Sequence, residues 1–316
     1  MDKYQLSIII PHYNTPDLLD TMLTSIPQRE DVQVIVVDDN STRELQELQN
    51  VLNKHSSKNL EFYISPHTEH STGLCRNVGL DHALGKWILF GDADDYYTNG
   101  WLDIVQEFFD SDYDLVFFQP TSIVLSTGEA GTRHQMYEDK IRTYCNDPTP
   151  QNELLLRYDT ASVCLKLHRR SLIEKHNIRF EQGLAEDTLF SAECGKCCEK
   201  LACINKALYC ITERSGSKTA AISKSLYDQR VKVKIRKCGM LYKILDDESI
   251  VFLQLENVGL QVLYSAFADK MGIRKIVEYA RLLRAEGVPI INRKHANPFT
   301  LFRRFLKSVI GRLRRR

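Results

Sequence analysis

The sequence lacks any long uninterrupted run of apolar residues. The first such run, at residues 6–10, ends at Pro11, and no stretch approaches the roughly 18 apolar residues of a membrane-spanning helix. The N-terminal residues also lack the form of a signal peptide. We therefore expect a cytoplasmic protein with no membrane span, whose 316 residues, 43% of them hydrophobic, suffice for a full core.

Net charge is almost absent as well, at +1 for pH 7, but the charge is unevenly distributed. From Gly287 to the end there are nine Lys or Arg residues and no Asp or Glu. The rest of the chain therefore holds 33 basic and 41 acidic residues, a net charge of −8. Such a body offers no basic face to a nucleic acid, so we expect no nucleic-acid partner.

The basic end of the chain, residues 299–316, has apolar residues at helical spacing, with Arg and Lys mainly on the opposite side. A basic amphipathic helix can lie in a membrane interface, where anionic lipids attract its cations. We predict peripheral contact with an anionic membrane surface. The alternative is a helix that packs against the body of the protein or frays.

Cysteine is plentiful by contrast, with nine residues, an odd number. In a reducing cytosol we expect mostly free thiols, many of them small core residues. The spacing of Cys194, Cys197 and Cys198 also suits zinc, but neighbouring apolar residues favour a core face for this predicted helix. His67 and His70 lie in a polar loop and are expected to be solvated.

Short apolar runs alternate with longer amphipathic ones through the first 120 or so residues, which predicts βαβ units on a parallel sheet. We expect an α/β protein with a Rossmann-like, mixed but mostly parallel sheet flanked by helices, followed by a helical extension. Predicted strands lie at 6–10, 32–37, 60–64, 87–90, 115–118, 162–167 and 201–211. Predicted helices start at 15–16 and at 41–42, and span 73–84, 99–109, 186–199, 226–246, 249–268 and 272–286.

These patterns predict three regions along the chain. Residues 1–220 would form the α/β domain, 221–290 a helical C-terminal region and 291–316 the basic amphipathic tail. The stretch 121–150 is rich in Gly, Thr, Pro and Asn and is predicted to be an excursion over the surface.

The strongest local signal is the tetrapeptide Asp92-Ala93-Asp94-Asp95, which directly follows the predicted strand 87–90. Three carboxylates within four residues repel one another, and Mg²⁺ or Mn²⁺ would relieve the repulsion because both favour oxygen ligands. Ligands of open α/β sheets gather at the carboxyl ends of strands, where a nucleotide diphosphate could share the metal. The alternative is an acidic turn that caps the next helix.

Acidic residues also end the predicted strand 32–37, at Asp38 and Asp39. A carboxylate in this position can accept a hydrogen bond from a base N–H or a ribose hydroxyl. The alternative is helix capping by Asp39, Asn40 or Ser41.

Two other side chains are candidates for contact with a nucleotide. Tyr13 follows the first predicted strand and can stack on a base, although packing is the commoner role of such a residue. Arg76 lies on the predicted helix 73–84, where it can meet a phosphate or a base. The alternative for Arg76 is a solvated surface charge.

Four segments together resemble the family two glycosyltransferases, whose nucleotide-sugar-binding fold is called GT-A. They are SIIIPHYN at 7–14, VVDDNST at 36–42, RNVGLDHALGKWILFGDADD at 76–95 and AEDTLF at 185–190. A single DxD motif says little. Four motifs in matching order and spacing, over roughly the first 215 residues, identify the chain as a member of the family.

The resemblance implies roles for residues around a donor. Asp39 would face the base, and Arg76 would contact the nucleotide. Asp92 and Asp94 match the DxD pair that binds Mn²⁺ or Mg²⁺ with the diphosphate, and Asp95 is a third candidate metal ligand. The residues implied to bind the nucleotide sugar are Pro11, Tyr13, Asp38, Asp39, Arg76, Asp92, Ala93 and Asp94.

The resemblance also implies a catalytic base, Asp187, next to Glu186. Like-charge repulsion from Glu186 is expected to raise the pKa of Asp187. The alternative for the pair is acidic enrichment in the first turn of a helix. Residues 213–217 match, more loosely, a flexible segment that closes over the donor. The positions that depart from the family's commonest residues are His12, Cys75 and Asn40, the last in place of a frequent Gly.

The implied function is transfer of a sugar, with inversion, from a nucleotide diphosphate donor to an acceptor hydroxyl. UDP is the expected nucleotide, and the acceptor is expected to be a saccharide or lipid-linked saccharide in polysaccharide or glycolipid assembly. One alternative is an inactive sugar-nucleotide-binding scaffold. Another is a sugar nucleotidyltransferase, which would need a Gly-rich, Arg-containing N-terminal loop that SIIIPHYN does not offer.

Overall fold

A computed structural model of the chain describes residues 3–57, 59–183, 185–214 and 223–292. The chain divides into two compact units, Met1–Ile222 and Ser223–Arg316. The predicted amphipathic helix at 299–316 and the end of the predicted donor-closing segment, 215–217, lie outside the described residues.

The first unit alternates strands and helices. Its strands are β1 (Tyr4–His12), β2 (Val32–Asp38), β3 (Leu60–Ile64), β4 (Gly85–Phe90), β5 (Tyr96–Tyr97), β6 (Leu115–Val124), β7 (Lys166–Arg169) and β8 (Leu201–Glu213). Its helices are α1 (Pro16–Thr24), α2 (Leu45–Lys54), α3 (Thr72–His82), α4 (Trp101–Gln106), α5 (Gln135–Asn146), α6 (Pro150–Asp159), α7 (Arg170–Lys175) and α8 (Glu186–Cys197).

The strands form one mixed sheet in the order β3-β2-β1-β4-β7-β6-β8-β5. Strands β3, β2, β1 and β4 pair in parallel with one another, whereas β7 is antiparallel to both β4 and β6. Every residue of β2 is buried, as expected for a central strand covered on both faces. The predicted α/β architecture with a mixed, mostly parallel sheet is confirmed.

Helix α3 lies unusually close to the sheet because of a glycine. A Cβ on Gly79 would lie 2.3 Å from Cγ2 of Ile9 in β1, so no side chain fits there. This close approach packs α3 against β1 and β2.

The structure corrects the predicted start of α2. The helix begins at Leu45, after Glu44 with a left-handed φ of 56°, and no side chain caps it. The hydroxyl of Ser41 instead donates to Asp38 at 2.6 Å. The alternative interpretation of Asp39, Asn40 or Ser41 as a helix cap is therefore wrong.

Other predicted bounds are wrong because apolar patterns report burial more directly than conformation. Residues 163–165 are buried, but the strand, β7, starts only at Lys166. Within the predicted surface excursion 121–150, β6 continues to Val124 and α5 is a regular helix. The predicted helix 249–268 is two helices, separated by a turn in which Gln254 has a φ of 59°.

The second unit is helical, as predicted, with its own small core. Its helices are α9 (Lys224–Ile244), α10 (Asp247–Phe252), α11 (Val258–Ala268) and α12 (Ile273–Ala285). Ile235, Val262, Tyr279 and Leu283 are buried together. Among the residues that the structure describes, no helix is both long and apolar enough to cross a bilayer.

All nine cysteines are free thiols. Cys194 and Cys198 are both buried, on the core side of α8. Burial raises the pKa of Cys198 to about 12, so the thiol stays neutral. The prediction of core thiols is confirmed for this pair.

Candidate active site

Three parallel strands end at one edge of the sheet and bring the predicted site residues together. Strand β1 pairs with both β2 and β4, so the segments that follow these strands lie side by side. Tyr13 follows β1, Asp39 follows β2 and Asp92 follows β4. Pro11 is buried within β1, opposite Val37. Open α/β sheets bind their ligands at this edge.

Asp38 is held by residues of the protein itself. His12 accepts the backbone N–H of Thr15 with Nε2 at 3.2 Å, so its Nδ1 carries the proton and donates to Asp38 at 2.8 Å. Ser41 donates to the same carboxylate through its N–H at 2.7 Å and its hydroxyl at 2.6 Å. Burial opposes the charge, but the bonds from His12 and Ser41 outweigh it and lower the pKa of Asp38. Asp38 thus shapes the loop after β2, and the predicted donor contact does not fit its position.

Two asparagines with left-handed backbone tie the neighbouring loops together. Asn14, with a φ of 54°, accepts the N–H of Thr42 with its side-chain oxygen at 2.9 Å. Asn40, with a φ of 58°, donates its amide to the carbonyl oxygens of Ser65 at 3.1 Å and His67 at 2.9 Å. Asn tolerates this conformation better than most residues, which explains how Asn40 replaces a frequent Gly.

Asp39 lies directly after β2, at the start of one of these loops. It is only 4% exposed, and its Oδ1 is buried without a hydrogen-bond partner in the described part of the chain. Burial and the Asp39 carboxylate raise the pKa of Cys75, at the start of α3, to about 12. His70 contacts both Asp39 and Tyr13. His70 is half exposed, as predicted, and its ring also makes these contacts.

Arg76, on α3, connects the two acidic residues Asp92 and Asp187. Its side chain is 2% exposed, and its guanidinium donates to Asp187 at 2.6 Å and to Asp92 at 2.6 Å. Burial disfavours the charge, but the carboxylates of Asp187 and Asp92 outweigh it and raise the pKa of Arg76 well above its usual value. The alternative of a solvated charge is therefore wrong for Arg76, while its contact with a nucleotide stays a prediction. The side chain is a buried bridge between two acidic groups.

Two aromatic rings pack next to the Arg76 guanidinium. The guanidinium lies 5.3 Å from the ring centre of Phe180, a cation–π distance. Phe180 in turn stacks on Phe190 of α8, with centroids 3.9 Å apart and an interplanar angle of 3°. Sequence reasoning missed Phe180, since a lone aromatic residue outside a motif carries no signal of this contact.

Asp95 is turned away from the other acidic residues. It is 7% exposed and accepts the N–H of Thr212 in β8 at 2.7 Å. Burial and the charges of Asp92 and Asp94 raise its pKa well above the usual value, and a hydrogen bond from Tyr209 partly opposes the shift. Asp95 therefore anchors the loop to β8 and does not fit the predicted role of metal ligand. Ala93 is buried beside it.

Asp92 and Asp94 remain the candidates for a metal. Their side chains are 39% and 31% exposed. Arg76 occupies one oxygen of Asp92, and Arg214 donates to Oδ2 of Asp94 at 2.9 and 3.1 Å. Within the described residues, no group of three or more His, Cys, Asp or Glu side chains is arranged to hold a metal. Two hard oxygen donors fit Mg²⁺ or Mn²⁺ only if phosphate and water supply the remaining ligands.

The predicted catalytic pair opens α8. Glu186 and Asp187 form its first turn, after Ala185 with a left-handed φ of 67°. Burial and the charge of Asp187 raise the pKa of Glu186 to about 7. Burial and the charge of Asp92 raise the pKa of Asp187, while Arg76 holds it down. The repulsion that we predicted for Asp187 falls on Glu186.

Neighbouring residues of α3 join the two sides of the site. The thiol of Cys75 faces Asp39, and the side chain of Arg76 binds Asp92 and Asp187. At Gly73, a Cβ would lie 2.9 Å from the carbonyl oxygen of Glu181, so the first turn of α3 packs tightly before α8. The candidate nucleoside residue Asp39 and the candidate base Asp187 thus both contact neighbouring residues of α3.

Solved structures of other proteins share this fold. A solved structure of residues 1–349 of TarS from Staphylococcus aureus, in complex with UDP-GlcNAc, matches with a TM-score of 0.68 at 24% identity, over 91% of this chain and 84% of that one. A mannosyltransferase from Pyrobaculum calidifontis, in complex with GDP-Man and Mn²⁺, matches with a TM-score of 0.55 at 15% identity, over 96% and 80%. At these identities the likeness shows the fold alone, and the GT-A prediction is confirmed.

Sequence comparisons identify the family. The model of glycosyl transferase family 2 matches residues 7–176, more than half of the sequence, and the chain belongs to this family. A cholesterol galactosyltransferase from Borreliella burgdorferi is 24% identical over 305 residues, covering 85% of this chain and 82% of the relative. TarS, a poly(ribitol-phosphate) beta-N-acetylglucosaminyltransferase, is 27% identical over 220 residues, covering 67% of this chain but 36% of TarS.

Family membership decides between the predicted classes of function. The chain is an inverting glycosyltransferase that takes a sugar from a nucleotide donor, as predicted. Neither the scaffold nor the nucleotidyltransferase interpretation is needed to explain the fold or the family match.

Proposed function

We propose that this glycosyltransferase takes its sugar from a UDP donor and requires Mn²⁺ or Mg²⁺, with Asp187 as the base. The observation that carries the proposal is that Asp39 and Asp92 follow parallel strands at one edge of the sheet, and that Arg76 joins Asp92 to Asp187 of α8. Cys75 and Arg76, adjacent on α3, contact the two sides of that edge. A donor that spans the edge would have its nucleoside at Asp39 and its anomeric carbon near Asp187.

Asp187 is suited to accept the proton of the acceptor hydroxyl. Its side chain is 27% exposed, so an acceptor can reach it, and its raised pKa makes it a stronger base than an ordinary Asp. The Arg76 guanidinium keeps it ionised. A nucleophilic oxygen held by Asp187 would attack from the side opposite to the leaving diphosphate, which inverts the anomeric centre.

Asp92 and Asp94 are the residues that would hold the metal. Each has one carboxylate oxygen that accepts no hydrogen bond from the described residues. When bound, Mn²⁺ or Mg²⁺ would neutralise charge on the leaving diphosphate. Arg76 and Arg214 supply positive charge to the two carboxylates in its absence.

The proposed acceptor is a saccharide or a lipid-linked saccharide, in polysaccharide or glycolipid assembly. The named activities of the relatives support glycolipid or polymer assembly, since one acts on cholesterol and the other on poly(ribitol-phosphate), neither of which is a saccharide. A cytoplasmic location with peripheral membrane contact through residues 299–316 stays a prediction from the sequence, as does the division of the chain at 220 and 290.

Binding of UDP-sugars, measured with and without Mn²⁺, tests the proposal. We expect a UDP-sugar to raise the melting temperature, more strongly with Mn²⁺ than with a chelator, by ligand linkage. Asp94→Asn should remove the Mn²⁺-dependent part of the shift. Asp110→Asn, at a fully exposed side chain, is the matched control and should keep it. Equal binding of UDP-sugars with metal and with chelator would remove the metal from the proposal.

A further inference from the structure

His70 occupies an unexpected place beside the two residues proposed to hold the nucleoside. Its Nδ1 lies 3.0 Å from the backbone oxygen of Asp39 and 3.5 Å from Oδ2 of the same residue. Its ring centre is 4.4 Å from that of Tyr13, at an interplanar angle of 48°. The side chain is half exposed. His70 therefore contacts Asp39 and Tyr13 while keeping one face open to a ligand.

The hydrogen bond to Asp39 fixes the orientation of the imidazole. A carbonyl oxygen can only accept, so Nδ1 of His70 carries a proton and donates it. That N–H also points close to Oδ2 of Asp39. The two oxygens of the Asp39 carboxylate are therefore not equivalent. Oδ2 has a positive hydrogen beside it, and Oδ1 has no partner among the described residues.

A buried acceptor without a partner is costly unless a ligand supplies the donor. Oδ1 of Asp39 can take one N–H from a planar base. Uracil offers a single ring N–H between two carbonyl groups, which matches one open oxygen. Guanine offers two parallel N–H donors and would need both carboxylate oxygens. The second carboxylate oxygen, Oδ2, lies 3.5 Å from Nδ1 of His70.

We propose that His70 is a specificity-determining residue for the nucleoside of the donor, which selects uracil over guanine by covering Oδ2 of Asp39. The ring of His70 also widens the aromatic surface of Tyr13 against which a base packs. The inference rests on the proposed function, in that it assumes a nucleoside diphosphate donor. It adds a residue that no family motif identifies.

The test measures the affinities of UDP and GDP, each with Mn²⁺, by calorimetry. Wild-type protein should bind UDP more tightly than GDP. His70→Ala should weaken UDP about tenfold, the upper range of an aromatic contact, while GDP changes less, so that the ratio of the two affinities falls. In turnover assays the KM for the UDP-sugar should rise, with kcat at saturating donor within about twofold of the wild type.

The matched control is His67→Ala. His67 is exposed in the same loop, and its hydrogen bonds to the described residues Asn40 and Ser65 involve only its backbone, which alanine retains. It should leave both affinities unchanged.

Two failures are distinguishable. If wild-type protein binds no nucleoside diphosphate, the proposed function fails. If it binds UDP, but His70→Ala leaves the UDP-to-GDP ratio unchanged, only the role of His70 is overturned. A wild-type preference for GDP would also overturn that role.

Discussion

The candidate site has two sides that differ in how their carboxylates are held. The nucleoside side comprises Asp38, Asp39 and the loops around them, and the reaction side comprises Arg76, Asp92, Glu186 and Asp187. Around Asp38 the partners are the polar side chains of His12, on the neighbouring strand, and Ser41, in the loop that follows. Their hydrogen bonds lower the pKa of the Asp38 carboxyl. Around Asp187 the partner is an arginine far along the chain, and the pKa values of both Glu186 and Asp187 are raised.

This difference indicates on which side the polar and charged groups are balanced by residues of the protein itself. The nucleoside side has satisfied nearly all its polar groups, the exception being Oδ1 of Asp39. The reaction side crowds acidic groups around the single guanidinium of Arg76, at a cost that a cation or a donor would relieve. We expect substitutions on the reaction side to change chemistry and charge, and those on the nucleoside side to change loop order.

The largest effect should come from Asp187→Asn. Asn is nearly the same shape but cannot accept the proton of the acceptor hydroxyl, so kcat should fall about a thousandfold. The Kd of the donor should stay within about threefold, because the base acts on the acceptor. Steady-state kinetics and calorimetry measure the two quantities. Asp110→Asn, on the surface, serves as control, and full turnover by Asp187→Asn would remove Asp187 from the role.

Arg76→Met should cost about 3 kcal/mol of stability, since it strands two carboxylates that are partly buried. Urea unfolding gives this free energy. Arg179→Met is the control, because Arg179 makes a surface pair with Asp81 at 3.3 Å and donates to the neighbouring carbonyl oxygen of Ile178 at 3.0 Å, and it should change stability by at most about 0.5 kcal/mol. Equal stabilities of the two variants would mean that the reaction side is not held by Arg76, which breaks the comparison.

Glu186→Gln should stabilise the protein at pH 8. The pKa of Glu186 is raised from 4.5 to about 7, so the folded state binds more protons than the unfolded state between these values. Stability from this group is therefore present below pH 4.5 and lost as the pH rises to 7. Gln escapes the loss, which is on the order of 2 kcal/mol. Melting temperatures at pH 5 and pH 8 provide the measurement, and a gain that is the same at both values would contradict the raised pKa.

Sequence reasoning predicted the two sides unequally. The parallel strands that Asp39 and Asp92 follow are predictable, because apolar runs have local signatures, whereas the roles of these two residues and of Asp187 stay predictions. The partners of these residues were not predictable. Arg76 meets Asp187 across 111 positions of sequence, and Thr212 meets Asp95 across 117. Such pairs depend on how α3, α8 and β8 pack, which no short motif encodes.

The smallest effect should come from Asn40→Gly, and its sign distinguishes two ways of holding the nucleoside side. Glycine would relieve the left-handed backbone, worth about 0.5 kcal/mol, but it removes hydrogen bonds to Ser65 and His67, each worth about 1 kcal/mol. We expect a net loss of about 1 kcal/mol in urea unfolding. Asn177→Gly is the matched control, since Asn177 has a φ of 47° and no side-chain hydrogen bond to a described residue, so it should gain slightly. If both variants gain stability, backbone conformation alone determines the loop. The claim that side-chain hydrogen bonds hold the nucleoside side would then be wrong.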